Sequence, residues 1–87
     1  MKKVLYFSMK TCGPCKLFKP VLQQTSSELG IPVSYIDVDS NGTMAQKYGI
    51  NAVPTLLIVN PVTDQVVSRQ SGAMSKPALT KFLSLAK

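Results

Sequence analysis

The chain has 87 residues, 45% of them hydrophobic and 16% charged, a composition typical of a single small globular domain spanning residues 1–87. Ten Lys and Arg against four Asp and Glu give a net charge of +6, but the basic residues are scattered and no aromatic ladder accompanies them, which argues against nucleic-acid binding. No apolar stretch is long enough for a membrane span or a signal-peptide core, so we expect a cytoplasmic protein without membrane contact. We also expect it to be a monomer.

The first two predicted elements are a strand and a long helix. Residues 3–8 are rich in strand-forming side chains and end in a polar loop. Residues 13–29 carry apolar side chains at three- and four-residue steps, which is typical of a helix. Pro14 suits its first turn, Pro20 is expected to kink it, and Gly30 is expected to end it.

The middle of the chain predicts a second strand and a short helix. Residues Val33 to Val38 form the strand. A turn at residues 40–42 leads into the helix, which is expected to end at Tyr48 and to be closed by Gly49.

The last part of the chain predicts a hairpin followed by a helix. Residues 55–59 are a continuous apolar run, as expected of a buried strand. A turn at residues 60–64 leads to a returning strand over residues 65–71. Ser75 is expected to cap the last helix, which has Pro77 in its first turn. Its predicted buried stripe consists of Leu79, Phe82, Leu83 and Ala86.

The element order β-α-β-α-β-β-α predicts an α/β fold with a four-stranded mixed sheet flanked by three helices. The first two strands are expected to be parallel, joined by a right-handed crossover. The carboxyl end of the first strand, over the start of the first helix, is then the expected place for a functional site.

Cys12 and Cys15 are the only cysteines, and they stand in that expected place. Two thiols at this spacing, where a helix begins, indicate a thiol redox site. The alternative is half of a metal site, but structural zinc needs four ligands and this chain has no His and no further Cys. We therefore expect a redox pair and no metal site.

The two sulfurs are expected to have different roles. Cys12 precedes the helix and is expected to be exposed and to attack a substrate disulfide, while Cys15 is shielded and resolves the mixed disulfide. Gly13 permits close approach of a partner, and Pro14 stiffens the loop between the thiols. The helix amino terminus should favour the Cys12 thiolate and lower its pKa to about 7.

Three lysines lie close to the pair in sequence: Lys10, Lys16 and Lys19. Their positive charge should add to the effect of the helix terminus on the thiolate, with Lys10 and Lys16 nearest in sequence. They should also steer acidic partners towards the site.

The run Cys12-Gly13-Pro14-Cys15-Lys16 resembles the active site of the thioredoxin family. Three more segments resemble the family's pattern over nearly the whole chain: Pro20 in the helix, Lys47-Tyr48-Gly49-Ile50 followed by Val53-Pro54-Thr55, and Gly72-Ala73 near the end. The resemblance implies a thioredoxin-like fold and a dithiol reductant of disulfide-containing proteins. It also implies no bound cofactor, with electrons from NADPH delivered by a thioredoxin reductase, a flavoprotein.

The resemblance further implies a substrate-binding surface around the cysteines. Its expected residues are Thr11, Val53, Pro54, Gly72 and Ala73. It implies that the Val53–Pro54 bond is cis and that the backbone of Val53 pairs with an extended substrate segment.

Several positions depart from the family's pattern. The match begins about one strand and one helix into it, and Thr11 stands where a tryptophan is usual. Tyr6 and Tyr35 stand where the family has a buried acid and a facing lysine. We expect these two tyrosines to meet beneath Cys15. Because a neutral phenol is a poor base near pH 7, we expect either that water accepts the proton of Cys15 or that exchange is slower at this step. The alternative is that they only pack, with their hydroxyls at the sheet edge.

Two other functions stay open from the sequence. The run from Tyr6 to Cys12 also resembles the first strand of glutaredoxins, which suggests a redoxin reduced by glutathione, although Gly13-Pro14 is unusual there. A non-catalytic clamp or accessory subunit could use the same surface around the cysteines.

Overall fold

The computed structural model describes every residue from Met1 to Lys87. Its strands are β1 (Lys3–Ser8), β2 (Val33–Asp37), β3 (Thr55–Val59) and β4 (Val66–Ser71). Its helices are α1 (Gly13–Leu29), α2 (Gly42–Lys47) and α3 (Lys76–Ser84). The order of elements is the predicted one. Among the helices, none combines the length and the apolar character that a membrane crossing requires.

The four strands form one mixed sheet in the order β2-β1-β3-β4. β1 and β2 are parallel, as predicted, and β3 is antiparallel to both β1 and β4. Phe7 of β1 pairs with Thr55 of β3, which in turn pairs with Ser71 of β4. Because these partners lie in one row, the loop after β1, the loop before β3 and the loop after β4 meet at one edge of the sheet.

One face of the sheet is covered by α1 and α3. Tyr6 and Leu56 of the sheet are fully buried there against Phe18 and Leu22 of α1. The predicted stripe of α3 is buried on the same face at Leu79, Phe82 and Leu83. Ala86 is buried with them but lies beyond the end of the helix at Ser84, so its predicted place within α3 is wrong. This packing fixes the start of α1 above the end of β1, where the cysteines lie.

The other face is covered by α2 and by Tyr48, which follows it. Tyr48 packs against Phe7 and donates a hydrogen bond of 2.6 Å to a carboxylate oxygen of Asp64. Lys47 forms an ion pair with the same carboxylate, and Arg69 donates to the backbone carbonyl of Tyr48. The ring is therefore held across the sheet by contacts from the β3–β4 turn and from β4.

Four predicted boundaries are each wrong by one residue. β2 ends at Asp37, not Val38, because the carboxylate of Asp37 accepts the N–H of Asp39 at 2.8 Å and turns the chain. β4 begins at Val66, not at position 65, since the preceding turn closes with a 2.9 Å bond from the N–H of Asn60 to the carbonyl of Gln65.

α2 accounts for the other two differences. It ends at Lys47, with Tyr48 as its cap instead of its last residue, and Gly42 belongs to the helix instead of to the preceding turn. The predicted stop of α1 at Gly30 is confirmed, with a left-handed φ of 67°.

Candidate functional site

Cys12 is the N-cap residue of α1. Its backbone is extended, with φ −86° and ψ 107°, and its N–H donates to the carbonyl of Met9 at 3.1 Å. Its Sγ accepts the N–H of Cys15 at 3.1 Å. The sulfur thus occupies the position where a side-chain oxygen usually caps a helix, facing the unpaired N–H groups of the first turn.

Cys15 lies in the first turn of α1 and is almost completely buried, with 2% of its surface exposed. Cys12 and Cys15 are joined by a disulfide bond, so the structure is that of the oxidised form. Cys12 is half-buried here, which corrects the expectation of an exposed residue, but it remains the more accessible of the two. The expected difference between an outer and an inner sulfur is present.

The residues around Cys12 form an exposed rim. Thr11 precedes the cysteine, and Gly13 and Pro14 occupy the first turn of α1; all three are exposed. Pro14 fits because the first turn of a helix leaves its N–H groups without helical partners in any case. This rim is open to contact with another protein.

The loop before β3 is tied to its neighbours by backbone and hydroxyl groups. The Val53–Pro54 peptide bond is cis, Pro54 is buried and Val53 is half-buried. The N–H of Gly72, which has a left-handed φ of 89°, donates to the Pro54 carbonyl at 2.8 Å. The hydroxyl of Thr55 donates to the Ala52 carbonyl at 2.7 Å. The sequence placed Thr55 in a strand and in the motif with Val53 and Pro54, but it did not indicate this hydrogen bond.

Val53 borders a small apolar groove beside the cysteine loop. The groove has a volume of about 230 Å³, and Met9, Val38, Ile50 and Ala52 share its lining. Since Met9 also accepts the N–H of Cys12, the groove adjoins the cysteine pair. Ala73 is exposed at the end of β4, in the loop next to Pro54, so the five expected substrate-binding residues all lie at this edge of the sheet.

Tyr6 and Tyr35 meet beneath Cys15, as predicted. They pair across β1 and β2, and their ring centroids are 5.7 Å apart in an edge-to-face arrangement. The Tyr6 hydroxyl is buried and donates to the Cys15 carbonyl at 3.0 Å. The expectation that both hydroxyls lie at the sheet edge is therefore wrong for Tyr6.

The protonation of these tyrosines follows from their surroundings. Burial, with a smaller effect of Tyr35, raises the pKa of Tyr6 to about 12. Burial also raises the pKa of Tyr35. Both side chains are neutral near pH 7, and neither phenol can act as an efficient proton acceptor for a thiol there.

The predicted lysines line a second depression next to Cys15, which we call the lysine cleft. It has a volume of about 320 Å³, and its charged lining residues are Lys10, Lys16, Lys19 and Asp37. Cys15 and Tyr35 border it as well. The sequence indicated that the lysines are close to the cysteines, but it did not indicate that Asp37, at the end of β2, lies with them.

Comparison with known proteins agrees with this geometry. The family model for thioredoxin matches residues 1–85. The thioredoxin of Bacillus subtilis is 39% identical over 75 residues, covering 84% of this chain and 70% of the relative. A bifunctional thioredoxin reductase/thioredoxin of Mycobacterium leprae is 39% identical over 75 residues, covering 84% of this chain and 16% of the relative.

A solved structure has the same fold. A thioredoxin variant from Halobacterium salinarum superposes with a TM-score of 0.86 at 28% sequence identity, covering 98% of this chain and 74% of that chain. Three observations lead to one conclusion. A cysteine pair stands at the start of a helix, a four-stranded sheet lies behind it, and the family model matches residues 1–85. The chain belongs to the thioredoxin family and is a thiol–disulfide oxidoreductase.

Proposed function

We propose that the chain reduces disulfide bonds of other proteins, with Cys12 as the attacking and Cys15 as the resolving residue. The observation that carries this assignment is the difference between the sulfurs: the Cys12 Sγ accepts an N–H at the helix start, whereas Cys15 is 2% exposed. An accessible sulfur that is stabilised as an anion attacks first, and a shielded one acts within the complex.

The reaction balances within two exchange steps. The Cys12 thiolate attacks one sulfur of the substrate disulfide, forms a mixed disulfide and releases the other substrate sulfur as a thiolate, which takes up a proton. Cys15 loses its proton to solvent, and its thiolate attacks the Cys12 sulfur. The second substrate sulfur leaves as a thiolate and takes up a proton from solvent. Two electrons pass to the substrate, and the Cys12–Cys15 disulfide remains.

The substrate segment lies between the rim and the loop before β3 in this proposal. Thr11, Gly13 and Pro14 contact it from one side, and the backbone of Val53 pairs with it from the other. The support is that the row Phe7–Thr55–Ser71 brings these loops to one edge, and that Gly72 holds the Pro54 carbonyl.

A thioredoxin reductase, a flavoprotein that passes on electrons from NADPH, returns the pair to its dithiol form in this proposal. The support is the relative from Mycobacterium leprae, whose name joins thioredoxin reductase and thioredoxin in one bifunctional protein. The chain itself binds no cofactor in this proposal, because the two sulfurs alone carry the electrons.

Trapping of the mixed disulfide tests the roles of the two cysteines. Reduced Cys15→Ser protein is mixed with a disulfide-containing protein, and the products are analysed by mass spectrometry without reductant. We expect a covalent adduct through Cys12 that accumulates and is released by dithiothreitol. Cys12→Ser protein, as the control, should form no adduct and show no reductase activity. Full turnover by Cys15→Ser, or adducts of Cys12→Ser through Cys15, would overturn the assignment.

A further inference from the structure

The lysine cleft carries more positive charge than the acidic residues of the molecule neutralise. The two ion pairs of the structure are Lys47–Asp64 and Lys76–Glu28, and neither involves a lysine of the cleft. Lys10, Lys16 and Lys19 are exposed, and none has a carboxylate oxygen within 4.0 Å. Three ammonium groups therefore face solvent around a depression that reaches the resolving cysteine.

Asp37 is the single acidic residue of the cleft lining. One of its carboxylate oxygens accepts the N–H of Asp39 at 2.8 Å, so part of its hydrogen-bonding capacity is used within its own turn. Against three lysines, the cleft keeps an excess of two positive charges. Such a site attracts carboxylates and repels cationic groups.

Packing partly fixes the position of one of these lysines, Lys19. The Lys19 ammonium lies 5.4 Å from the centroid of the Tyr35 ring, a cation–π distance, and Tyr35 packs edge-to-face on Tyr6. Lys16 and Lys19 stand three residues apart on α1, so their side chains emerge from neighbouring positions on one face of the helix. The cleft thus presents a localised group of cations.

The lysine cleft and the small apolar groove beside Val53 lie on either side of Met9. Met9 borders both depressions, and its carbonyl accepts the N–H of Cys12. A polypeptide that is attached to Cys12 through a disulfide can therefore place one arm along Val53 and reach the lysines with the other.

We propose that the lysine cleft binds acidic side chains of the substrate protein near its reacting cysteine, and that the chain thereby selects acidic disulfide segments. This inference rests on the proposed reduction of protein disulfides and adds the class of substrate. Lys10, Lys16 and Lys19 contact the carboxylates, and Asp37 weakens the attraction.

Paired disulfide peptides test the selection. Each pair consists of a peptide with three glutamates and an otherwise identical peptide with three glutamines. In the first pair these residues precede the reacting cysteine, and in the second pair they follow it. The measured quantity is the ratio of kcat/KM for the glutamate peptide to kcat/KM for its glutamine partner. Changes in thiol reactivity affect both peptides alike and cancel in the ratio.

For the unmodified protein we expect a ratio above one for at least one of the two placements, decreasing as salt is added. Lys10→Gln, Lys16→Gln and Lys19→Gln should each lower the ratio by about two- to fivefold, the effect of one exposed ion pair. Asp37→Asn should raise the ratio, because it removes the negative charge of the cleft, and the asparagine side chain can still accept the N–H of Asp39. Loss of structure would not lower the ratio in the lysine variants and raise it in the aspartate variant.

Two controls carry the same charge changes elsewhere. Lys87→Gln removes a lysine next to Ala86, whose carbonyl accepts the N–H of Lys2, at the opposite end of β1. Asp39→Asn removes an acidic residue outside the cleft lining. Both should leave the ratio unchanged. Equal ratios for the unmodified protein and the three lysine variants would overturn the inference, whereas failure to reduce the glutamine peptides would instead contradict the proposed function.

Discussion

The hydroxyl of Tyr6 donates a hydrogen bond of 3.0 Å to the backbone carbonyl of Cys15. The phenol therefore uses its only proton on the backbone of the resolving cysteine and not on its sulfur. Since the pKa of Tyr6 is raised to about 12, it also stays neutral in ordinary buffers. We therefore expect Tyr6 to support the first turn of α1, and we expect the proton of Cys15 to leave to solvent through the lysine cleft, which Cys15 borders.

A Tyr6→Phe substitution tests this supporting role. It keeps the ring that packs on Tyr35 and removes the hydrogen bond, so the free energy of unfolding should fall by about 1 kcal/mol. The pH dependence of Cys15 alkylation, measured in a Cys12→Ser background, should not change. Tyr35→Phe is the matched control and should have a smaller effect on stability. A shifted alkylation profile with unchanged stability would instead assign Tyr6 a role in proton transfer.

A Thr55→Val substitution tests the fixation of the loop before β3. The variant loses the 2.7 Å bond to the Ala52 carbonyl and should leave the backbone of Val53 less well ordered. We expect KM for a protein disulfide to rise by about two- to tenfold, the equivalent of one hydrogen bond, with little change in kcat. Alkylation of Cys12 by a small reagent should be unaffected. Thr43→Val, on the exposed surface of α2, serves as the control, and equal KM values for both variants would contradict the role of Thr55.

An Asp64→Asn substitution tests the contacts that hold Tyr48. A hydrogen bond from Lys47, which has the larger effect, and one from Tyr48 lower the pKa of Asp64 below its ordinary value. Because the folded-state pKa is lowered, the carboxylate stabilises the fold fully above its unfolded pKa of about 3.9, and this contribution is lost as the pH falls through the folded-state value.

Urea unfolding of both proteins between about pH 7 and about pH 2.5 measures this contribution. The unmodified protein should be more stable than Asp64→Asn at neutral pH, and the difference should shrink in acid. Asn tolerates the left-handed φ of 66° at this position, so backbone strain does not enter the comparison. A difference in stability that is constant across the pH range would contradict the electrostatic account.

Reduction of the Cys12–Cys15 disulfide by two enzyme systems tests whether a thioredoxin reductase or glutathione is the electron source. Oxidised protein is incubated with NADPH and a bacterial thioredoxin reductase, or with NADPH, glutathione and glutathione reductase. We expect sustained NADPH consumption with the first system and at least about tenfold less with the second. In the second system Cys15 displaces glutathione from Cys12 within the molecule, faster than a second glutathione can react. The opposite order of rates would favour the glutathione-dependent alternative.

The fold was largely predictable because its signals are local. Residues 55–59 are apolar without interruption, and α1 has Pro14 at its start and Gly30 at its end, so burial and boundaries follow from the sequence alone. The end of β2 and the start of β4 each differ from the predicted boundary by one residue, because hydrogen bonds within the adjacent turns decide where these strands stop and begin. Propensities do not resolve such bonds.

The site was predictable in its residue types but not in its tertiary contacts. The cysteine spacing and the resemblance identified the pair and the loop at Val53. The hydrogen bond from the Tyr6 hydroxyl to the Cys15 carbonyl depends on how α1 crosses β1. No sequence pattern indicates the distance between these two groups. The lysine cleft likewise needs Asp37 from the end of β2 beside Lys19 from α1, which are 18 positions apart in the chain.

The rate of alkylation of Cys12 as a function of pH is the most direct test of the central claim that this sulfur is a reactive thiolate at the start of α1. The measurement uses reduced Cys15→Ser protein and iodoacetamide, so that only one thiol reports. We expect a midpoint of about pH 7, because the N–H groups of the first turn and the nearby lysines stabilise the anion. A midpoint of about pH 8.5, the value of an ordinary free cysteine, would contradict it.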